Sequence, residues 1–200
     1  KAARPDYGWL SEETEDTSTR LGKPRAFVID PIDGTRSFIE GSTTWAHSFA
    51  IVEEGAPVAA VVYLPLRQKL YAAARGQGAT LNGAPLTISP QADFASLEVL
   101  ATKPVFDAKH WKAGTPHLKR AHRPSLAYRL ALVAEGRFDA MITLRRSWEW
   151  DIAAGALGEL FQFNVFHDGV EYRASGLPQA IPDADGRGIV VTIPDTDIGA

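Results

Sequence analysis

Asp30 and Asp33 stand three residues apart in VIDPIDGTRSF (28–38), with Pro31 between them and Gly34 and Thr35 directly after. Proline fixes φ and has no N–H, so the chain leaves the first carboxylate in a restricted direction and returns with the second three residues on. Both carboxylates and the Ile32 carbonyl can then converge on one point, the all-oxygen surrounding that a hard cation such as Mg2+ requires. Gly34 permits close backbone approach, and Thr35 opens a short helix whose free N–H groups would face an anion resting on that cation. A phosphate meets this description. The competing account is a plain turn, since Asp, Pro and Gly are the usual turn residues and proline favours the second position of a four-residue turn.

Two other acidic segments bear on the choice. WLSEET (9–14) offers Glu12 and Glu13, and EWD (149–151) puts Asp151 at a helix N-terminus. Singly, the glutamates fit a solvated pair or first-turn helix acids, and Asp151 fits an N-cap. Together, four acidic groups from three segments form a metal-ligand set. An apolar strand followed by Asp-x-Asp marks phosphatases that use the first Asp as nucleophile; the Asp-x-x-Asp spacing here, with proline inside, points instead to metal-activated water.

These side chains need elements to hold them. The apolar run Ala26–Ile29 stops at Asp30 and reads as a buried strand with the acids at its C-terminal end. AHSFAIVE (46–53), PVAAVVYL (57–64) and KLYAAAR (69–75) are strand-like and joined by the turn signals EEGAP and PLRQ, which predicts an antiparallel meander. GQGATLNG (76–83) supplies glycines for tight turns, and 86–89 reads as one more short strand. LEVLAT (97–102) is a further strand. SLAYRLALVAEGR (125–137) predicts a helix with Leu126, Leu130, Val133 and Ala134 on one face, Ser125 as N-cap and Gly136 near its stop. RFDAMITL follows as a strand and WDIAAGALGEL (150–160) as a second helix. The mixture implies an α/β or α+β sandwich.

Composition sets the frame. The chain has 200 residues, 45% hydrophobic and 22% charged, enough for a substantial core. A formal net charge of -3 and a pI near 6.0 give no broad basic surface, so no nucleic acid polymer is expected as partner, and small anions are left to local sites. The absence of cysteine excludes disulfides, thiolate nucleophiles and Cys-ligated zinc. No apolar run approaches the ~20 residues of a membrane span and no signal segment opens the chain, so the expectation is no membrane partner and a cytoplasmic location. His47, His110, His117, His122 and His167 lack metal-ligand spacing, and the five tryptophans suit core packing. The start at Lys1 reads as the middle of a longer protein.

Glu-Glu, then Asp-Pro-Ile-Asp-Gly-Thr-x-Ser-Phe, then Trp-Asp-x-Ala-Ala-Gly, in this order, resembles the inositol monophosphatase superfamily of Mg2+-dependent, Li+-sensitive phosphatases. The similarity runs through VVYLPLRQKLYAAARGQGATLNG and covers roughly Trp9 to Gly155. It implies the family's layered α-β-α-β-α sandwich, with 1–155 as phosphatase core lacking the family's N-terminal helices and 156–200 as a divergent segment. It implies that Glu12, Asp30, Asp33, Asp151 and the Ile32 carbonyl hold the metals, that Thr35 with Glu12 and Asp33 serves catalysis, and that the Gly34 and Thr35 amides bind substrate phosphate. The cofactor would be Mg2+ and the partner a small phosphorylated substrate; a homodimer is compatible with it.

On substrate, inositol-specific members carry a Glu and a His where this chain has Leu144 and Trp148. SLAYRLALVAEG and EWDIAAG are instead similar to the 3'(2'),5'-bisphosphate nucleotidase branch, whose Gly-Ser-Ser-Leu-Lys opening is here Arg123-Pro124-Ser125-Leu126-Ala127. An inositol or other sugar phosphatase is the alternative. The family has some sixty to seventy residues before the Glu-Glu pair, including an Asp that partners the motif threonine, whereas eleven precede Glu12. A truncated, non-catalytic metal or phosphate binder is therefore the alternative of another class. Beyond Gly155 the resemblance stops, although Phe161, Phe163 and Val165 alternate and GIVVTI (188–193) reads as a strand.

Overall fold

The computed structural model describes residues 4–87, 97–111, 115–143, 147–156, 163–167, 170–174 and 190–192. A seven-stranded sheet takes up the first part, in chain order: β1 (Gly8–Ser11), β2 (Arg25–Asp33), β3 (Ala46–Glu53), β4 (Ala56–Leu64), β5 (Lys69–Ala74), β6 (Ala79–Leu81) and β7 (Ala84–Pro85). The β1–β2 pair is parallel, and every later neighbour is antiparallel, as the meander pattern predicts. Two of its hairpins turn on two residues that both hold positive φ, Glu54-Gly55 and Asn82-Gly83. This is the type I′ geometry whose twist matches that of the flanking strands. The second of these turns starts the last hairpin strand at Ala84 rather than Leu86, and residues 88–89 of the expected strand lie outside the described ones.

A second, smaller sheet is wholly parallel, in the order β10 (Ala140–Ile142), β8 (Glu98–Ala101), β9 (Lys119–Ala121). Helix α2 (Leu126–Ala134) connects β9 to β10 and touches β3 and β4 of the large sheet as well as β10 of the small one. Contact on both sides explains why all nine of its residues are buried, where the sequence pattern suggested one apolar face. Each of its fully buried leucines contributes roughly 1.5–3 kcal/mol. Ser125 caps it as expected, accepting from the Tyr128 N–H, and Gly136 follows its end at φ +70°.

Helix α3 (Glu149–Ile152) is shorter than predicted; turns carry the chain on to Ala156, and 157–160 are not among the described residues. Gly155 lies so close to α2 that a Cβ there would sit 2.3 Å from Leu130 Cδ1, so the Ala-Ala-Gly run is what lets this segment approach the central helix. Helix α1 (Thr35–Ile39) follows β2. Strands β11 (Phe163–His167), β12 (Val170–Ala174) and β13 (Val190–Thr192) pair antiparallel in the order β12-β11-β13.

The main core fills the space between the large sheet and α2, from Leu10, Val28, Val62, Leu64 and Tyr71 to Leu130, Leu132 and Met141. On the other face of the large sheet, Trp9, Phe27, Phe49, Ile51 and Val61 line an open apolar trough of about 370 Å³. Among the described residues no helix is long and apolar enough to cross a membrane.

Candidate metal centre

Strand β2 runs on through Asp33 instead of stopping before Asp30. Asp30 pairs with Ser48 of β3 and Asp33 with Ala46, and the register shifts between them. Pro31 and Ile32 are thus the bulge of an edge-to-edge ladder, not a chain-reversing turn, and bulges re-aim side chains in this way. Pro31 cannot donate to the ladder, and its carbonyl is held by the His47 ring nitrogen Nδ1 from β3. Asp30 Oδ1 accepts from the Ile32 N–H at 2.9 Å.

The bulge turns both acids inward. Asp30 is 2% exposed and Asp33 6%. Asp33 Oδ2 accepts from the Ser125 hydroxyl and from the Ala127 N–H at 2.6 Å, so it sits on the first turn of α2, where unpaired amides and the helix dipole favour a carboxylate. Ser125 uses its one hydroxyl twice, accepting from Tyr128 and donating to Asp33. Asp151 is the third residue of α3 rather than its cap, and its Oδ2 accepts from the Trp148 N–H at 3.0 Å. Asp30, Asp33 and Asp151 each bring a carboxylate oxygen to within 4.8 Å of the others.

Burial is the main force on the pair from β2. It pushes the Asp30 carboxyl up to about 8, with Asp33, Glu12 and Asp151 adding repulsion and the Ile32 N–H opposing it. Asp33 is also raised by burial, against the donors from Ser125 and α2. Three clustered acids, two of them buried, repel one another until a cation compensates them. The donor set suits a hard divalent ion: with oxygens at about 2.0–2.6 Å, ligands on opposite sides lie roughly 4–5 Å apart.

Glu12 stands apart from this cluster. It is exposed, as is Glu13, and its backbone N–H continues the β1–β2 ladder to the Ile29 carbonyl at 3.3 Å, which places it near enough to raise Asp30. The Ile32 carbonyl accepts from the exposed Thr35 hydroxyl at 3.1 Å. Gly34 precedes α1 at φ +89°, and a Cβ there would lie 3.2 Å from that of Ser125, so glycine is required both by conformation and by space. Leu144 lies outside the described residues; Trp148 is 64% exposed and stacks on Trp150 with ring centroids 5.0 Å apart.

Sequence reasoning read Ser125 only as a helix cap, set His47 aside as a metal ligand and gave Ser48 no role, yet all three position the site. His47 grips the bulge, Ser125 holds Asp33, and the buried Ser48 donates to the Trp150 carbonyl at 3.1 Å, tying α3 to the strand opposite Asp30. The trace of His47 and Ser48 in the sequence is a polar residue within the apolar run of β3.

The pattern of the inositol monophosphatase family matches residues 1–157. The chain belongs to this family. An inositol-1-monophosphatase of Rhizobium meliloti (strain 1021) is 36% identical over 180 residues, covering 78% of this chain and 60% of the relative. A histidinol-phosphatase of Mycobacterium tuberculosis is 36% identical over 163 residues, covering 76% and 61%. The chain thus spans about 60% of the length of these curated relatives. Among solved structures, the extragenic suppressor protein suhB of Bartonella henselae superposes with a TM-score of 0.72 at 26% identity, over 96% of this chain and 76% of that one. The layered α/β fold expected from the motifs is therefore the fold of the family.

Proposed function

We propose that this protein is a Mg2+-dependent phosphomonoesterase acting on a small substrate, with a nucleoside 3'(2'),5'-bisphosphate as the substrate its site suits best. The observation that carries the hydrolase is the convergence of the Asp30, Asp33 and Asp151 carboxylates within 4.8 Å at the end of a bulged strand. These three and the Ile32 carbonyl would hold the cation, with Glu12 at its open side. A divalent ion bound there supplies Lewis acidity toward an attacking water and neutralises charge on the phosphate.

The chain's own groups do the rest. Gly34 and Thr35 start α1 and present backbone N–H groups to the phosphate oxygens. Thr35 donates its hydroxyl proton to Ile32, which leaves its oxygen lone pairs to accept from an incoming water. Glu12, exposed next to Asp30, can orient and deprotonate that water. Asp33 is kept in place by Ser125 and the first turn of α2.

Trp148 favours a nucleotide. Its ring is mostly exposed, three residues from Asp151, and is not packed beneath α3; a flat indole offers a broad stacking surface to a base but only a single N–H donor to a polyol's several hydroxyls. The inositol phosphatase alternative draws its support from the relatives' activities. The test is phosphate release from 3'-phosphoadenosine 5'-phosphate and inositol 1-phosphate side by side, with Mg2+ and with added Li+. We expect the nucleotide to have the higher kcat/KM and Li+ to inhibit. A tenfold preference for inositol 1-phosphate, about 1.4 kcal/mol at the transition state, would overturn the nucleotide choice and leave the metal chemistry standing.

A further inference from the structure

Strands β1 and β2 are parallel neighbours, so the chain between them must cross back along the sheet, from the end of β1 at Ser11 to the start of β2 at Arg25. Glu12 is the first residue of that crossover. From Glu12 to Arg25 every residue is exposed except Arg20, and Leu21 is 73% exposed. Burial of apolar surface therefore does not hold this loop against the sheet, and specific polar contacts must.

Two ties do so. At the near end, Ser11 to Thr14 form a turn closed by the Thr14 N–H on the Ser11 carbonyl at 3.3 Å, and the Trp9 indole N–H donates to the Thr14 hydroxyl at 3.0 Å. Glu12 is the second residue of that turn. Trp9 is itself anchored in β1, edge-on to Phe27 with ring centroids 6.2 Å apart. At the far end, Arg20 lies in a single 3-10 turn, Ser18–Gly22, packed against Gly8, the first residue of β1; a Cβ at Gly8 would stand 3.0 Å from that of Arg20. From there its guanidinium forks onto both Asp16 oxygens, at 2.7 and 2.8 Å. A surface ion pair usually fixes little, but a two-pronged fork from a packed arginine sets direction as well as distance. The fork also favours the charged guanidinium, and Glu149 at the start of α3 adds to this, so the loop lies within electrostatic reach of the helix that carries Asp151.

We propose that Trp9, Thr14 and Arg20 are positioning residues for Glu12: they hold the crossover loop so that its carboxylate stands at the open side of the Asp30–Asp33–Asp151 centre. This rests on the phosphatase function proposed above. The three aspartates are set by other contacts, the bulge, the start of α2 and the Ser48 tie to α3, so loosening the loop moves Glu12 and leaves them in place.

The test places Thr14→Val/Arg20→Gln in the wild type and in Glu12→Gln, and follows phosphate release from 3'-phosphoadenosine 5'-phosphate and inositol 1-phosphate with Mg2+. On the substrate that the wild type turns over, we expect the paired substitutions to lower kcat by about tenfold or more with KM within about threefold. In Glu12→Gln they should change the rate by less than about twofold, because nothing is left for them to position. The same loss in both backgrounds, or none in either, would overturn the proposal. Thr14→Ser keeps the hydroxyl and should hold kcat within about twofold of the wild type; a larger loss would overturn the Trp9 tie. If the paired variant does not fold, Thr14→Val/Asp16→Ala, both at exposed positions, puts the same question. Mg2+ affinity by calorimetry in the same four proteins reads the ties without turnover. We expect it to weaken by about threefold or more where Glu12 is present and to stay unchanged in Glu12→Gln. Should the wild type release no phosphate, the phosphatase function fails and calorimetry alone judges the ties. Equal affinities in all four proteins, equal losses in both backgrounds, or no Mg2+ binding by the wild type would then refute them.

Discussion

Withdrawing the cation should make the stability of this protein depend on pH through Asp30. Its carboxyl is pushed up to about 8 in the fold, against 3.8 when unfolded. A raised carboxyl means that the folded state binds the extra proton, so stability is greatest below about pH 4 and is lost as pH rises toward 8. The slope approaches ~1.4 kcal/mol per pH unit across that window, and between pH 5 and 7 the loss comes to about 2.5 kcal/mol. A cation compensates the ionised carboxylates, so with saturating Mg2+ the slope should vanish and the stabilisation by Mg2+ should itself grow from pH 5 to 8. His122, held low, gains stability in the opposite direction as pH rises, but equally with and without metal, and cancels in the difference. Urea unfolding in EDTA and in millimolar Mg2+ at pH 5, 6, 7 and 8 measures both slopes. Asp30→Asn should abolish the metal-dependent part. If the Mg2+ increment were the same at pH 5 and pH 8, or absent from a folded sample, the convergence of the three acids would not be a cation site.

Four other changes follow from named contacts. Asp33→Asn keeps an acceptor for the Ala127 N–H, so we expect the metal-free fold to survive in circular dichroism while the Mg2+ shift in Tm and phosphate release are lost. Ser125→Ala removes the cap of α2 and the donor to Asp33, at roughly 1–3 kcal/mol in urea titrations; a change below 0.5 kcal/mol would mean the hydroxyl is idle. Gly155→Ala drives a methyl into Leu130 and should cost about 1–3 kcal/mol or more, and in combination with Leu130→Ala the loss should be less than the sum of the two, as a double-mutant cycle would read. Trp148→Ala, at an exposed position, should leave Tm within a degree or two and raise KM for the nucleotide severalfold; an unchanged KM would assign Trp148 to the Trp150 contact alone.

Strands β2 to β5 of the large sheet were legible because each signal was local: β3 spans 46–53 as its apolar run does, and Glu54-Gly55 carries the turn chemistry in two residues, whereas the short β1 and β6 carry too few apolar residues to be read as strands. The pair Asp30 and Asp33 was legible for the same reason, since four consecutive residues hold the whole device. What periodicity does not carry is how many sides of an element are covered. Ala127 and Ala131 fit a solvent face or a packed one, so α2 read as one-sided although two sheets enclose it. Nor does it tell where a side chain points at the end of a ladder, and Glu12, one residue past β1, stays exposed beside the cluster instead of joining it.

The meeting of Asp151 with the other two acids depends on contacts between distant parts of the chain. Ser48 reads as one polar residue in an apolar run, which is ordinary. Register makes it otherwise: it pairs with Asp30 on one side, and its hydroxyl reaches a carbonyl 102 residues away, that of Trp150, the residue before Asp151. A slip of one residue in the β2–β3 ladder would turn Ser48 to the opposite face and take the tie to α3 with it. The bulge at Pro31–Ile32 and the His47 grip on it are what set that register at the one point where it changes. The metal centre is therefore held together by the strand pairing itself, and Ser48→Ala should separate Asp151 from the other two acids. The separation would appear as weaker Mg2+ binding in calorimetry with little loss of metal-free stability; unchanged Mg2+ affinity would show that packing on α2, β2 and β3 holds α3 in place without that hydroxyl.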